Sequence, residues 1–272
     1  MADPVRILVP GDDPPQIAGS PHLERLKPYG EVILHADPPA SKEDQIQRAA
    51  GCQVVINSRG SVTWREDDLK ALPDLRMITT CSIGTDMIDL KPAADLGIVV
   101  SNQPGRTAPV VAEHMLGLLF AVAKRAAFQT AEIRQQRWTR RMNLGVQGKT
   151  LGIVGYGHIG TQLSVMAEAL GMRVVFYDIV EKLALGNATA IRALDELLAC
   201  SDVVSLHVPS TEMTAGMIDR VCLRAMKKGA HLINASRGNV VDIDALAKCL
   251  SDGHLAGAAV DVFPKEPASL DE

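Results

Sequence analysis

Along the chain, short apolar runs rich in β-branched residues alternate with stretches whose apolar positions recur at helical spacing. The runs at 6–9, 31–35, 53–57, 75–79 and 98–101 predict strands. The stretches near 21–27, 41–50, 66–72 and 87–96 predict helices. Ser41 stands before one of them with Asp44 three residues on, an approximate capping box. A long helical stretch from about 107 to 138 breaks the alternation. Strands then resume at 150–154, 173–177, 203–207, 231–234 and 256–262. Such alternation implies parallel sheets covered by helices on both faces. Two similar α/β halves result, 1–101 and 102–272, meeting at Asn102-Gln103-Pro104-Gly105. With no low-complexity linker, the halves are expected to lie close, with a cleft between them.

Length agrees: 272 residues, at roughly 150 per domain, make two modest domains. Apolar residues at 47 % and charged residues at 22 % exclude a disordered or fibrous chain. The net charge of −4 lacks the basic field of a nucleic-acid protein. Few aromatics (2 Trp, 3 Tyr, 4 Phe) argue against a base-stacking platform. Cys52, Cys81, Cys200, Cys222 and Cys249 are odd in number and widely spaced, so neither a disulfide scaffold nor a metal site is expected. They read as buried free thiols of a reducing compartment. Met1-Ala2-Asp3-Pro4 does not open a signal peptide. The longest apolar stretch, 109–123, contains Glu113 and His114 and is too short and polar to span a membrane. A cytoplasmic location is expected.

The sharpest local feature is Gly155-Tyr156-Gly157-His158-Ile159-Gly160, directly after the apolar run Leu151-Gly152-Ile153-Val154. Behind it Ile159, Leu163, Met166 and Leu170 recur at helical spacing. In such a turn Gly155 permits the tight bend, Gly157 admits a pyrophosphate to the backbone, and Gly160 lets helix and strand approach. The helix N-terminus offers amide N–H groups and a partial positive charge to phosphates. The next strand, Arg173-Val174-Val175-Phe176-Tyr177, ends in Asp178, 18 residues beyond Gly160. An acid there accepts hydrogen bonds from ribose hydroxyls. Ile179 and Val180 supply no cation for a 2′-phosphate, so NAD is favoured over NADP.

Three more segments stand at strand ends: Leu206-His207-Val208-Pro209, Ile233-Asn234-Ala235-Ser236-Arg237-Gly238 and Asp261-Val262-Phe263-Pro264-Lys265-Glu266-Pro267. Singly, Arg237 and Glu266 read as solvated surface charges. Together with Gly84-Thr85-Asp86, Val111-Ala112-Glu113-His114 and Gly148-Lys149-Thr150, these segments resemble the NAD-dependent D-2-hydroxyacid dehydrogenases from about residue 54 to 267. The chain is most like the bacterial members acting on D-3-phosphoglycerate, through the glycine turn with Thr161-Gln162, Phe176-Tyr177-Asp178 and Leu185-Gly186-Asn187-Ala188-Thr189.

The resemblance implies two Rossmann/flavodoxin-like domains, the first binding substrate and the second NAD. It implies an oxidoreductase moving a hydride between NAD(H) and a D-2-hydroxy acid, with 3-phosphoglycerate favoured. A glyoxylate or hydroxypyruvate reductase and a non-catalytic NAD(H)-binding interaction protein are the alternatives. Arg237 matches the arginine that pairs with the substrate carboxylate, and Glu266 the acid that holds the catalytic histidine. His158, Ile159, His207, Val208, Pro209, Ala235, Ser236, Asp178 and Asp261 match the cofactor shell, besides the three glycines. Ile83 and Gly84 match a carboxylate-binding loop. Arg59 matches part of a phosphate-facing segment, with Asn57 where a second arginine is usual. Arg140 matches a cation that approaches the neighbouring subunit's site.

The family's acid/base histidine follows the glutamate in a Pro-His-x-Gly segment. None of the seven histidines here (His22, His35, His114, His158, His207, His231, His254) lies in one, nor does the family's return to its first domain follow. The reading therefore expects a longer chain, and an inactive enzyme without it. Finally, Val110, Val111, Met115, Leu116, Leu118, Leu119, Phe120 and Val122 cover nearly every side of a helix. A helix apolar all round must be enclosed, which predicts a homodimer through 107–142, as the resemblance also implies.

Overall fold

The computed structural model describes residues 4–266, apart from the side chain of Arg59. The amino-terminal reading at 1–3 and Pro267 lie outside the described residues. The chain divides into two compact units, Met1–Gly105 and Arg106–Glu272.

The first unit carries β1 (Arg6–Val9), β2 (Glu31–Leu34), α1 (Lys42–Ala49), β3 (Val54–Asn57), α2 (Glu66–Lys70), β4 (Met77–Thr80), α3 (Leu90–Asp95) and β5 (Val99–Ser101). Its strands are all parallel in the order β2-β1-β3-β4-β5, the flavodoxin-like order. Leu8, Val55 and Ile78 from three neighbouring strands are fully buried, with Trp64 and Leu69 over them. The Ser41 hydroxyl accepts from Asp44 N–H, and the Asp44 carboxylate reaches back to Ala40 N–H, one residue short of a regular box. The helix expected near 21–27 is only the single 3-10 turn Leu23–Arg25, which buries no residue. Pro28 ends it, and one turn without an apolar face cannot offset helix nucleation.

The second unit begins with α4 (Ala108–Ala123) and α5 (Ala126–Arg134). The expected continuous helix is broken at Arg125, whose φ of 53° is left-handed. The break is set from a distance. The chain returning at 142–144 satisfies the end of α4: Leu144 N–H donates to Ala123 O, Lys124 Nζ to Leu144 O, and Arg125 Nε to Met142 O. Ala108, Ala112, Met115, Leu119 and Ala123 form one buried stripe that packs on the rest of the unit. Val110, in contrast, stays 66 % exposed. Within a single chain α4 is therefore covered along one side, not enclosed.

There follow β6 (Thr150–Val154), α6 (His158–Ala169), β7 (Arg173–Tyr177), β8 (Thr189–Ala190), α7 (Leu194–Cys200), β9 (Val203–Leu206), α8 (Arg220–Ala225), β10 (His231–Asn234), α9 (Ile243–Ser251) and β11 (Gly257–Val260). The six parallel strands run β11-β10-β9-β6-β7-β8, the Rossmann order with its reversal between β6 and β9. β8 was not foreseen, because two exposed residues carry no periodicity. Gly152 in β6 lets α7 close on the sheet: a Cβ there would stand 2.7 Å from Leu197 Cδ2. Among the described residues no helix is long and apolar enough to cross a membrane.

Candidate functional site

In open α/β sheets ligands lie beyond the carboxyl ends of the strands, where the strand order reverses. In the second unit that point lies between the ends of β6 and β9, and the glycine turn occupies it. Its glycines answer to different neighbours. Gly155 has φ 93°, and a Cβ would stand 2.8 Å from the His207 carbonyl oxygen at the end of β9. Gly160 lies against the turn itself, where a Cβ would meet Gly155 O at 2.4 Å and Ile153 Cγ2 at 3.0 Å. Gly157 is different. It caps α6 with an ordinary φ of −82°, and a Cβ there meets nothing within 4 Å. No protein atom among the described residues requires that glycine; a ligand lying against the backbone would. With the helix start uncapped by any side chain, the amides of His158 and Ile159 open beside it. These residues fit a dinucleotide's pyrophosphate.

Tyr156 locks the turn. Its ring is buried and stacks on Phe176, centroids 3.8 Å apart and 14° between planes. Its hydroxyl bonds Ser164 Oγ at 2.8 Å and accepts from Leu185 N–H at 3.3 Å. Asp178, half-buried after β7, accepts Tyr156 N–H at Oδ2 (2.8 Å) and Val180 N–H at Oδ1 (3.1 Å). Each carboxylate oxygen is thus oriented by the backbone while retaining a second lone pair for a ribose hydroxyl. Ile179 and Val180 beside it are exposed.

At the other strand ends, the buried Asn234 shapes the loop after β10. Its Oδ1 accepts from Ser236 N–H and Oγ, and its Nδ2 donates to Arg237 O. Arg237 is half-buried, and its Nη1 donates to Ser236 O at 2.7 Å. Gly238 joins this loop to the one after β11: a Cβ there would lie 2.0 Å from Phe263 C. The turn carrying Glu266, whose Oε1 accepts from Phe263 N–H at 3.0 Å, therefore abuts the turn carrying Arg237. His207 is half-buried with Nε2 2.9 Å from Ser205 Oγ. Lost hydration holds its imidazole down to about 4, so it is neutral at physiological pH. Val208, Pro209 and Ala235 complete these strand ends.

Sequence reasoning named neither Asn234 nor Gly238 as supports, and it left His114 outside the site. His114 Nε2 lies 3.2 Å from Asp261 Oδ2. Its position in a Glu-His pair on a helix was the one signal available, and it did not indicate a partner 147 residues on.

The first unit carries its own candidates. Ile83 and Gly84 follow β4 in a loop tied down by Asn102 Nδ2 to Ile83 O (2.8 Å) and Ser82 Oγ to Gly84 O (3.0 Å). Arg59 belongs to the 3-10 turn Ser58–Gly60, its side chain outside the described residues. Arg140, in the second unit, is exposed.

Residues 116–272 match the family model described as D-isomer specific 2-hydroxyacid dehydrogenase, NAD binding domain. D-3-phosphoglycerate dehydrogenase of Haemophilus influenzae is 45 % identical over 252 residues, covering 92 % of this chain and 62 % of that protein. The chain thus spans about three-fifths of the length of that relative. Among solved structures, the TT0316 protein of Thermus thermophilus aligns with a TM-score of 0.85 at 33 % identity, over 98 % of this chain and 85 % of that one. D-lactate dehydrogenase of Aquifex aeolicus, complexed with NAD and lactic acid, aligns with a TM-score of 0.83 at 30 % identity, over 96 % and 78 %.

Proposed function

The chain belongs to the D-isomer-specific 2-hydroxyacid dehydrogenases, and from that premise we propose that it serves an NAD-dependent oxidation of a D-2-hydroxy acid or the reverse reduction of the 2-keto acid. The observation that carries the proposal is the apposition of Gly238 to Phe263. It holds Arg237 and Glu266 on adjoining turns, at the same sheet edge as the glycine cradle.

Bound NAD would supply the hydride chemistry. The residues handle the rest. Amides at His158 and Ile159 would hold the pyrophosphate, and Asp178 would take the ribose hydroxyls and repel a 2′-phosphate. Arg237 grips the substrate carboxylate through two parallel charge-assisted bonds, a geometry its planar fork suits. Glu266 steadies an imidazole and raises its proton affinity, so that it can take the hydroxyl proton near neutral pH. In the family that imidazole follows the glutamate in a Pro-His-x-Gly segment. Neutral His207, bonded to Ser205, serves the cofactor side instead. From the first unit, the amides of Ile83 and Gly84 and the Arg59 side chain are assigned to substrate binding.

The relatives' shared name favours 3-phosphoglycerate as substrate, with Arg59 and Arg140 as phosphate partners. A homodimer through 107–142 and a cytoplasmic location belong to the same proposal. The dimer is supported by the exposed apolar side chains Val110, Ile133, Trp138 and Met142. Turnover of phosphohydroxypyruvate, hydroxypyruvate and glyoxylate with NADH, in the intact protein and its Arg237→Ala variant, tests the reading. The variant should lose about a hundredfold or more in kcat/KM. Unchanged turnover would remove Arg237 from the mechanism, and turnover of none of the three would favour a binding protein.

A further inference from the structure

His114 and Asp261 form a pair for which the fold has no structural need. Both are about half exposed, at 49 % and 51 %, and so open a pair adds little to stability. Its geometry is nevertheless defined. An ionised carboxylate can only accept, so His114 Nε2–H donates to Asp261 Oδ2, at 3.2 Å. Each partner is held by its own element. Ala112 and Met115, flanking His114, are buried in the core stripe of α4. Asp261 N–H donates to Asn234 O at 2.9 Å, which extends the β10–β11 pairing by one residue.

Asp261 sits at the carboxyl end of β11, three strands beyond β6 on the side away from Asp178. At about 4.8 Å per strand, that is about 14 Å from the glycine turn. A dinucleotide with one ribose on Asp178 and its pyrophosphate at the start of α6 must send its second nucleoside over β9 and β10 toward β11. In NAD that nucleoside ends in a carboxamide, whose amino group is a donor seeking an acceptor. With Oδ2 accepting from His114, Oδ1 of Asp261 is the oxygen with both lone pairs left for it.

We propose that His114 is a positioning residue: it fixes the rotamer of Asp261 so that the carboxylate accepts from the carboxamide of the bound nicotinamide. This rests on the dinucleotide reading above. It makes α4, a helix outside the glycine turn and the strand-end loops, responsible for orienting the reactive end of the cofactor.

The full chain, with His114→Leu and His114→Gln variants, is titrated with NADH by fluorescence and with ADP-ribose, which lacks the nicotinamide ring, by displacement. His114→Leu should raise the Kd for NADH about fivefold and leave that for ADP-ribose unchanged. His114→Gln, which retains a donor, should recover most of the loss. The emission of bound NADH, which reports immobilisation of the ring, should fall in His114→Leu alone. Equal weakening of both ligands, or no change in either, overturns the assignment. Binding of neither by the unsubstituted chain overturns the dinucleotide reading itself, and the inference with it.

Discussion

Replacing Gly157 with alanine should weaken NADH binding and leave the fold as stable as before; replacing Gly160 should do the opposite first. At Gly157 the φ of −82° suits any residue, and an added methyl meets no atom within 4 Å. Alanine is a poorer N-cap than glycine by a few tenths of a kcal/mol or more. Its lower unfolded-state entropy returns about 0.4–1 kcal/mol, so the net change in stability is near zero. A phosphate lying against that Cα would, however, be pushed away from the α6 amides. Losing one charge-assisted hydrogen bond costs about 1.5–3 kcal/mol, or about 10- to 150-fold in Kd. At Gly160 the methyl falls 2.4 Å from Gly155 O, a backbone atom that cannot swing aside. Overpacking of this kind costs about 1–3 kcal/mol, which lowers Tm by about 2–12 °C in a unit of this size. Thermal unfolding without ligand and fluorescence titration with NADH separate the two effects. The reasoning is refuted if Gly157→Ala loses as much Tm as Gly160→Ala, or if its affinity for NADH is unchanged.

The unsubstituted chain should bind NADH at least tenfold more tightly than NADPH, because the Asp178 carboxylate repels a 2′-phosphate; competitive titration showing equal affinities would count against this role. Glu132, buried beside Arg137 and Thr139, should anchor the arm at 135–142. The Arg137 guanidinium, then the Thr139 hydroxyl, hold its carboxyl down to about 2. A lowered folded pKa means that the contribution is complete above the ordinary 4.5 and is lost as pH falls toward about 2. Glu132→Gln should therefore make the arm more susceptible to trypsin at neutral pH, and equal cleavage rates would show that the anchor is idle. Light scattering at micromolar concentration should return twice the mass of one chain, whereas a single-chain mass refutes the dimer.

How far the fold could be read in advance depended on the range of the forces involved. The strand Thr150–Val154 is buried at every position, and the apolar run Leu151-Gly152-Ile153-Val154 announces that. The end of α4 has no local announcement. Arg125 is left-handed because Leu144 and Met142 return to cap the helix, some twenty residues later. Leu23–Arg25 shows the converse, helical spacing with no core to pack against. The glycine turn and Asp178 were legible because their spacing is local to one strand–helix–strand unit. His114 and Asp261, or Gly238 and Phe263, come together only through sheet order, which the sequence pattern states too coarsely to pair side chains.

The contacts of Tyr156 divide the labour at this sheet edge. Below it, Gly155, Gly160 and the His207 carbonyl interlock so tightly that the phosphate cradle admits almost no sequence variation. Above it, the segment after Asp178 is held by the Tyr156 hydroxyl at Leu185 and by Asp178 itself, while Ile179 and Leu183 remain 75 % and 84 % exposed. On the dinucleotide reading proposed above, selection or a designer can thus rewrite the residues that would choose between cofactors without touching those that would hold the shared diphosphate. Cofactor preference, on that reading, is an exchangeable part mounted on a turn that is not.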